Sequence, residues 1–200
     1  MSVPRRSWRA WRETLLLLAL APATALAAPT AEPDSVLRQR LVEAVQSSSS
    51  FPDRFAAEVW LADMADRMAR YVPKAFPKLE DRLRFLRVLH AEATRAKVPP
   101  ELALSVIEVE SRFDRFAISS HGALGFMQIM PFWLKRIHRE RDSLFNEQTN
   151  LAIGCTILRY YMDLEHGDLV KALQRYNGSY GKPGYPYKVL EALNRRWFRE

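Results

Sequence analysis

The sequence has a single cysteine, Cys155, among its 200 residues. One cysteine cannot form a disulfide within the chain, so stability must come from a hydrophobic core. Cys155 lies in an apolar stretch and is expected to be a small buried core residue. The four histidines are far apart in the sequence, with no HExxH motif and no cysteine cluster. We therefore expect neither a metal site nor a metal cofactor.

Several other signatures are also missing. The chain has no glycine-rich phosphate-binding motif, and Ser179 lies in a Gly-Ser-Tyr-Gly stretch that differs from a nucleophile elbow. Outside the first residues there is no run of about 18 apolar residues, which argues against a membrane-spanning helix. The formal net charge of +7 comes from basic residues scattered among acids, a pattern that does not favour nucleic-acid binding.

The first residues resemble an export signal. Four arginines precede a short apolar segment, and Ala25-Leu26-Ala27 gives a small-x-small cleavage pattern. We expect residues 1–27 to be a signal peptide, which implies localisation in the periplasm of a bacterial cell envelope and no transmembrane segment after cleavage. Residues 28–50 are expected to be a flexible lead-in with a short helix at 36–46.

Helical periodicity dominates the remainder, and no alternating strand pattern exceeds a few residues, so the predicted fold class is mainly α. We expect Asn150 near the N-terminus of one helix, Asp168 as the cap of the next and Gly154 as a point of close approach. The predicted helices cover residues 51–72, 79–97, 101–113, 131–140, 150–165, 169–176 and 187–197.

The helix predicted at residues 101–113 carries a carboxylate in an unexpected place. On a helical wheel Glu110 falls within the apolar arc, whereas Glu108 falls on the opposite face, which should contact water. A carboxylate on an apolar face is unfavourable unless it is paired or protonated. Burial raises its pKa, and so does the negative end of a helix. Glu110 is therefore either a buried glutamate paired with an arginine or with backbone groups, or a protonated general acid.

Three ordered motifs accompany this helix: Glu110-Ser111, then Gly125-Phe126-Met127-Gln128 followed by Met-Pro, then Tyr176-Asn177. In these motifs, residues 86–193 resemble the soluble lytic transglycosylase (SLT) family, which shares a lysozyme-like fold with goose-type lysozyme. Phe126 departs from the usual leucine, and Gly-Ser follows Asn177 where the family commonly has Ala-Gly. The resemblance implies an SLT-type catalytic domain at residues 86–200 and leaves residues 51–85 as a small helical N-terminal extension.

The resemblance also implies an activity and a set of site residues. SLT enzymes cleave the β-1,4 bond between N-acetylmuramic acid and N-acetylglucosamine in peptidoglycan glycan strands, forming 1,6-anhydro ends without a cofactor. By position, Glu110 corresponds to the general acid and base. The expected substrate-binding residues are Ser111, Met127, Gln128, Tyr176 and Asn177. Asp114 is interpreted as a solvated or turn-capping residue.

Two alternatives remain open on the sequence alone. A lysozyme-type muramidase would hydrolyse the same bond with water, and usually needs a second carboxylate. A non-catalytic glycan-binding module of a cell-envelope assembly would keep the fold without the chemistry. Protein partners, glycan length and the role of residues 28–85 do not follow from the motifs.

Overall fold

The computed structural model describes residues 35–46 and 54–198, and the predicted signal peptide lies outside them. The described residues form eight α-helices and a final π-helical turn, Leu193–Trp197. The α-helices are α1 (Ser35–Gln46), α2 (Arg54–Tyr71), α3 (Leu79–Arg95), α4 (Pro100–Ser111), α5 (Phe132–Arg136), α6 (Glu147–Leu164), α7 (Leu169–Asn177) and α8 (Gly184–Ala192).

The prediction of a mainly α fold is confirmed. In the described ranges the β-type pairing is confined to isolated bridges from Leu124 to Ile118 and to Ile129. All the described helices belong to one compact unit, Pro33–Glu200. None of the helices within the described ranges combines the length and the apolar character needed to cross a membrane.

Helix α4 lies at the centre of this unit, against α3, α8 and the π-helical turn. Every residue from Leu102 to Ile107 is buried, including Ser105. Glu108, which was expected on a face open to water, is instead largely covered by its neighbours. Its side chain is 18% exposed, and its carboxylate accepts hydrogen bonds from Trp197 Nε1 at 2.7 Å and from Arg196 Nε at 3.0 Å.

Local signals set both ends of α4. Pro100 occupies the first turn, where an N–H group has no helical partner. At the other end Arg112 and Phe113 both adopt left-handed backbone conformations, with φ of 52° and 64°. The helix therefore ends at Ser111, slightly before the predicted end, and Glu110 lies in its last turn.

Helix α6 begins at Glu147 because Asn146 caps it, its side chain accepting a hydrogen bond from Thr149 N. Asn150 lies near the start of α6 as predicted, but it follows the cap by four residues and its side chain bonds outside the helix. Asn150 is 1% exposed. Its Oδ1 accepts from Met127 N at 2.9 Å, and its Nδ2 donates to the carbonyls of Leu124 and Leu144 at 2.9 Å. It thus holds the loop that contains the second motif.

The first described helices pack onto the same core. Trp60 of α2 is 5% exposed and donates from Nε1 to Glu101 Oε1 of α4 at 2.7 Å. The rings of Phe76 and Phe85 lie 4.8 Å apart, and Phe85 also contacts Phe126 at 5.0 Å. Helix α3 runs across the predicted boundary between residues 85 and 86, and the division into extension and catalytic domain stays a prediction.

Candidate active site

Glu110 occupies a half-buried position in the last turn of α4. Burial is the largest influence on its carboxyl and raises its pKa, because desolvation disfavours the charged form. The polar side chains of Tyr185 and Asn177 favour the charged form and lower the pKa, but by less. The net result is a carboxyl group that holds its proton to higher pH than an ordinary glutamate.

Helix α7 brings Tyr176 and Asn177 to this carboxyl. Asp168 caps the helix by accepting from Lys171 N at 3.0 Å, as predicted, and Gly178, with φ of 72°, ends it. Tyr176 Oη donates to the carbonyl of Met127 at 2.8 Å. Burial and, secondly, the Glu110 charge raise the pKa of Tyr176 well above its ordinary value. The phenol therefore stays neutral and remains a hydrogen-bond donor.

Tyr185 is a site residue that lies outside the three sequence motifs. Helix α8 begins at Gly184, before its predicted start, so Tyr185 shares a face with Val189 and Ala192, which are both fully buried. Its Oη is buried and acts on the Glu110 carboxyl. The same oxygen makes no hydrogen bond of ordinary length and angle within the described ranges. The spacing of Tyr185, Val189 and Ala192 was the available signal.

The second motif forms a tight loop against α6. Gly125 has φ of 75°, and a Cβ there would lie 2.4 Å from Asn150 Nδ2. Gly154 permits the predicted close approach, because a Cβ on it would lie 2.4 Å from Met127 Sδ. Met127 itself is fully buried. Its side chain therefore packs in the core, its carbonyl receives the Tyr176 hydrogen bond, and contact of Met127 with substrate stays a prediction.

Gln128 and Ser111 are both engaged by nearby backbone. Gln128 has φ of 50°, and its Nε2 donates to the carbonyls of Gly125 at 2.9 Å and Ala117 at 3.3 Å. Ser111 Oγ donates to the Ile107 carbonyl at 3.2 Å. Both side chains are half-buried. These bonds fix the loop and the helix end beside Glu110, and direct contact of either residue with a sugar stays a prediction.

Asp114 and Cys155 have structural roles and are not part of the Glu110 site. Asp114 is exposed and accepts from Phe116 N at 2.8 Å, which fits the predicted turn-capping role. Cys155 is fully buried, and burial raises its thiol pKa to about 12. In the parts of the chain that the structure describes, no three His, Cys, Asp or Glu side chains could together hold a metal ion.

The geometry thus defines an all-helical domain with a buried carboxyl at a helix end, faced by an asparagine and two tyrosines. Residues 87–184 match the family model of the transglycosylase SLT domain. A curated protein from Enterobacteria phage PRD1, named transglycosylase, is 27% identical over 119 residues. The match covers 56% of this chain and 44% of the phage protein. The matched segment, residues 87–184, includes Glu110 and both later motifs, so this part of the chain is similar to the transglycosylase SLT domain family.

Proposed function

We propose that this protein is an exported, periplasmic lytic transglycosylase that cleaves peptidoglycan glycan strands, with Glu110 as general acid and then general base. The observation that carries the proposal is the environment of one carboxyl group. Glu110 has a raised pKa through burial, and the other influences on it from the described residues are Tyr185 and Asn177, neither of which is a carboxylate. The match of residues 87–184 to the SLT domain family supports the same activity.

The proposed reaction begins with proton transfer from Glu110. The protonated carboxyl donates to the oxygen that links N-acetylmuramic acid C1 to the N-acetylglucosamine leaving group, and the C1–O bond breaks. The Glu110 carboxylate then accepts the proton of the muramoyl C6 hydroxyl, whose oxygen bonds to C1. A 1,6-anhydro ring closes, the carboxyl is protonated again, and no water is consumed. Because the nucleophile belongs to the substrate, its effective concentration is high.

Asn177 and the two tyrosines have distinct parts in this proposal. The carboxyl must be neutral for the first step and charged for the second, so opposing influences on its pKa suit it to both. Burial favours the acid form, whereas the side chains of Asn177 and Tyr185 stabilise the carboxylate. Tyr176 positions the second motif through its bond to the Met127 carbonyl. Ser111 and Gln128 are proposed to contact the sugar beside the acid.

The test is digestion of purified sacculi followed by mass spectrometry of the released muropeptides. We expect anhydro-muramoyl ends, which are one water lighter than hydrolysis products. Glu110→Gln should slow cleavage by about 10²-fold or more, the usual contribution of a general acid. Glu140→Gln, at an exposed glutamate outside the site, serves as the matched control.

Three outcomes would contradict the proposal. Reducing ends with water added would instead assign a muramidase. Glycan binding without cleavage would assign a binding module. Cleavage by Glu110→Gln at the unmutated rate would remove the acid from the mechanism.

A further inference from the structure

A second concave site lies beside the C-terminal end of α4, separate from the side chains that face Glu110. A cavity of about 560 Å³ is bounded by the connection between α2 and α3, by the starts of α3 and α6, and by residues 112–116. Aromatic side chains of Phe76, Phe113 and Phe126 form part of its wall. Residues 74–76 belong to the predicted N-terminal extension, so this segment contributes directly to the cavity.

Glu147 is a carboxylate without a close partner in this cavity. Its side chain is 11% exposed, and its ion pair with Arg84 Nη1 spans 3.7 Å, which is too long for a hydrogen bond. Arg84 is 3.2 Å from Asp81, so its charge is shared. Across residues 35–46 and 54–198, no donor forms a hydrogen bond to the Glu147 carboxylate. A buried carboxylate that accepts no hydrogen bond from the protein favours a ligand that donates hydrogen bonds to it. An ammonium group donates hydrogen bonds and also carries the complementary positive charge.

Two cations line the same cavity without an ion-pair partner in the described part of the chain. Lys74 and Arg112 are both exposed. Arg115 also lines the cavity, but its Nε donates to the Phe145 carbonyl at 2.6 Å. The cavity therefore offers carboxylates for an ammonium group, with Glu147 the buried one beside Asp81 and Asp114, exposed cations for a carboxylate, and aromatic surface. This combination matches a free amino-acid end, which carries an ammonium and a carboxylate on one carbon.

We propose that this cavity binds the diamino acid residue of a peptidoglycan stem peptide, such as meso-diaminopimelate. The bound part is the free end of that residue, where an ammonium and a carboxylate share one carbon. The assignment rests on the proposed function, because that function supplies a substrate with stem peptides. Arg112 follows Glu110 closely in the chain, with consecutive Cα atoms about 3.8 Å apart. Three extended residues span roughly 10 Å, so the stem of a sugar held at Glu110 is long enough to reach this cavity.

The experiment measures binding of a free stem peptide by isothermal titration calorimetry on the whole chain. The probe is L-alanyl-γ-D-glutamyl-meso-diaminopimelate, and the comparison peptide has L-lysine in its last position, which removes one carboxylate. We expect Glu147→Gln to weaken binding of the probe at least tenfold. The double variant Lys74→Gln/Arg112→Gln should also weaken binding of the probe at least tenfold. It should in addition bind the probe and the lysine peptide with equal affinity. Glu140→Gln and Lys188→Gln, at exposed sites away from the cavity, are the matched controls.

The outcomes separate this inference from the proposed function. Circular dichroism and thermal melting establish that each variant is folded, and the surface double variant tests the cavity even if Glu147→Gln is destabilised. Three results would overturn the peptide site: no binding at millimolar probe, an affinity in both cavity variants that equals that of the unmutated protein, or equal affinity of the unmutated protein for the two peptides. Sacculus digestion reports on the proposed function independently, since a free peptide needs no cleavage to bind. If the unmutated protein binds the peptide but does not digest sacculi, the proposed function would be contradicted and the peptide site would be supported.

Discussion

Gly154 lies where α6 passes closest to Met127, and one added methyl group there tests how the site is held. A Cβ on Gly154 would lie 2.4 Å from Met127 Sδ and 2.8 Å from Met127 Cβ. Met127 is fully buried, so it cannot move aside freely. Overpacking of this kind costs about 1–3 kcal/mol, whereas alanine is favoured over glycine within a helix by about 0.8–1.0 kcal/mol. We therefore expect Gly154→Ala to lower the free energy of unfolding by about 1 kcal/mol.

The same substitution should reduce cleavage of sacculi, because Met127 carries the carbonyl that holds Tyr176. Urea unfolding followed by tryptophan fluorescence measures the stability change, which should also lower Tm by about 2–4 °C. Gly184→Ala is the matched control, since a Cβ at Gly184 meets nothing within 4 Å. It should leave stability unchanged or raise it slightly. Equal stabilities for the two alanine variants would refute the reasoning, and so would full activity in Gly154→Ala.

Further predictions concern three ionisable side chains. Burial raises the folded-state pKa of Glu110. Ionisation of this carboxyl therefore opposes folding as pH rises through that pKa. For this reason Glu110→Gln should be more stable than the unmutated protein at pH 7. That gain should vanish as pH falls below the unfolded-state value near 4, and a melting series that shows no pH dependence would contradict it. Tyr185→Phe removes a group that lowers the Glu110 pKa, so the basic limb of the kcat/KM profile should move to higher pH, and a shift to lower pH would argue against the assigned contact. Cys155, with its thiol pKa raised to about 12, should resist alkylation at pH 8 until the protein unfolds; rapid labelling of the native protein would show that the thiol is accessible.

The ends of α7 have local signals and agree with the prediction, whereas α5 ends at Arg136 and not at the predicted residue 140. Asp168 caps α7 by bonding Lys171 N, and Gly178 ends the helix in a left-handed conformation. Both interactions join residues only a few positions apart, so the sequence contains them. The start of α6 was placed too late because Asn146 and Asn150 are equally good capping residues by type. Asn150 instead bonds to backbone groups in the second-motif loop, whose proximity no local pattern encodes.

The two glutamates of α4 show where a helical wheel succeeds and where it fails. Glu110 was predicted on a buried face, and burial is indeed the main influence on its pKa. Glu108 was predicted to contact water, yet Trp197 and Arg196 cover it from the far end of the chain. A wheel describes one helix and assumes one open side. A central helix surrounded by neighbours has no such side, so its polar residues find partners within the fold.

The sequence by itself determined the helical class, the position of Glu110 near a helix end, and the order of the three motifs. These features follow from periodicity, capping and residue types over short distances. Only the tertiary structure decided that Tyr185 acts on the Glu110 carboxyl, that Met127 lies in the core, and that Glu147 faces a separate cavity. Desolvation and the distance to a partner set the chemistry of each side chain, and both depend on segments that are remote in the chain until it folds.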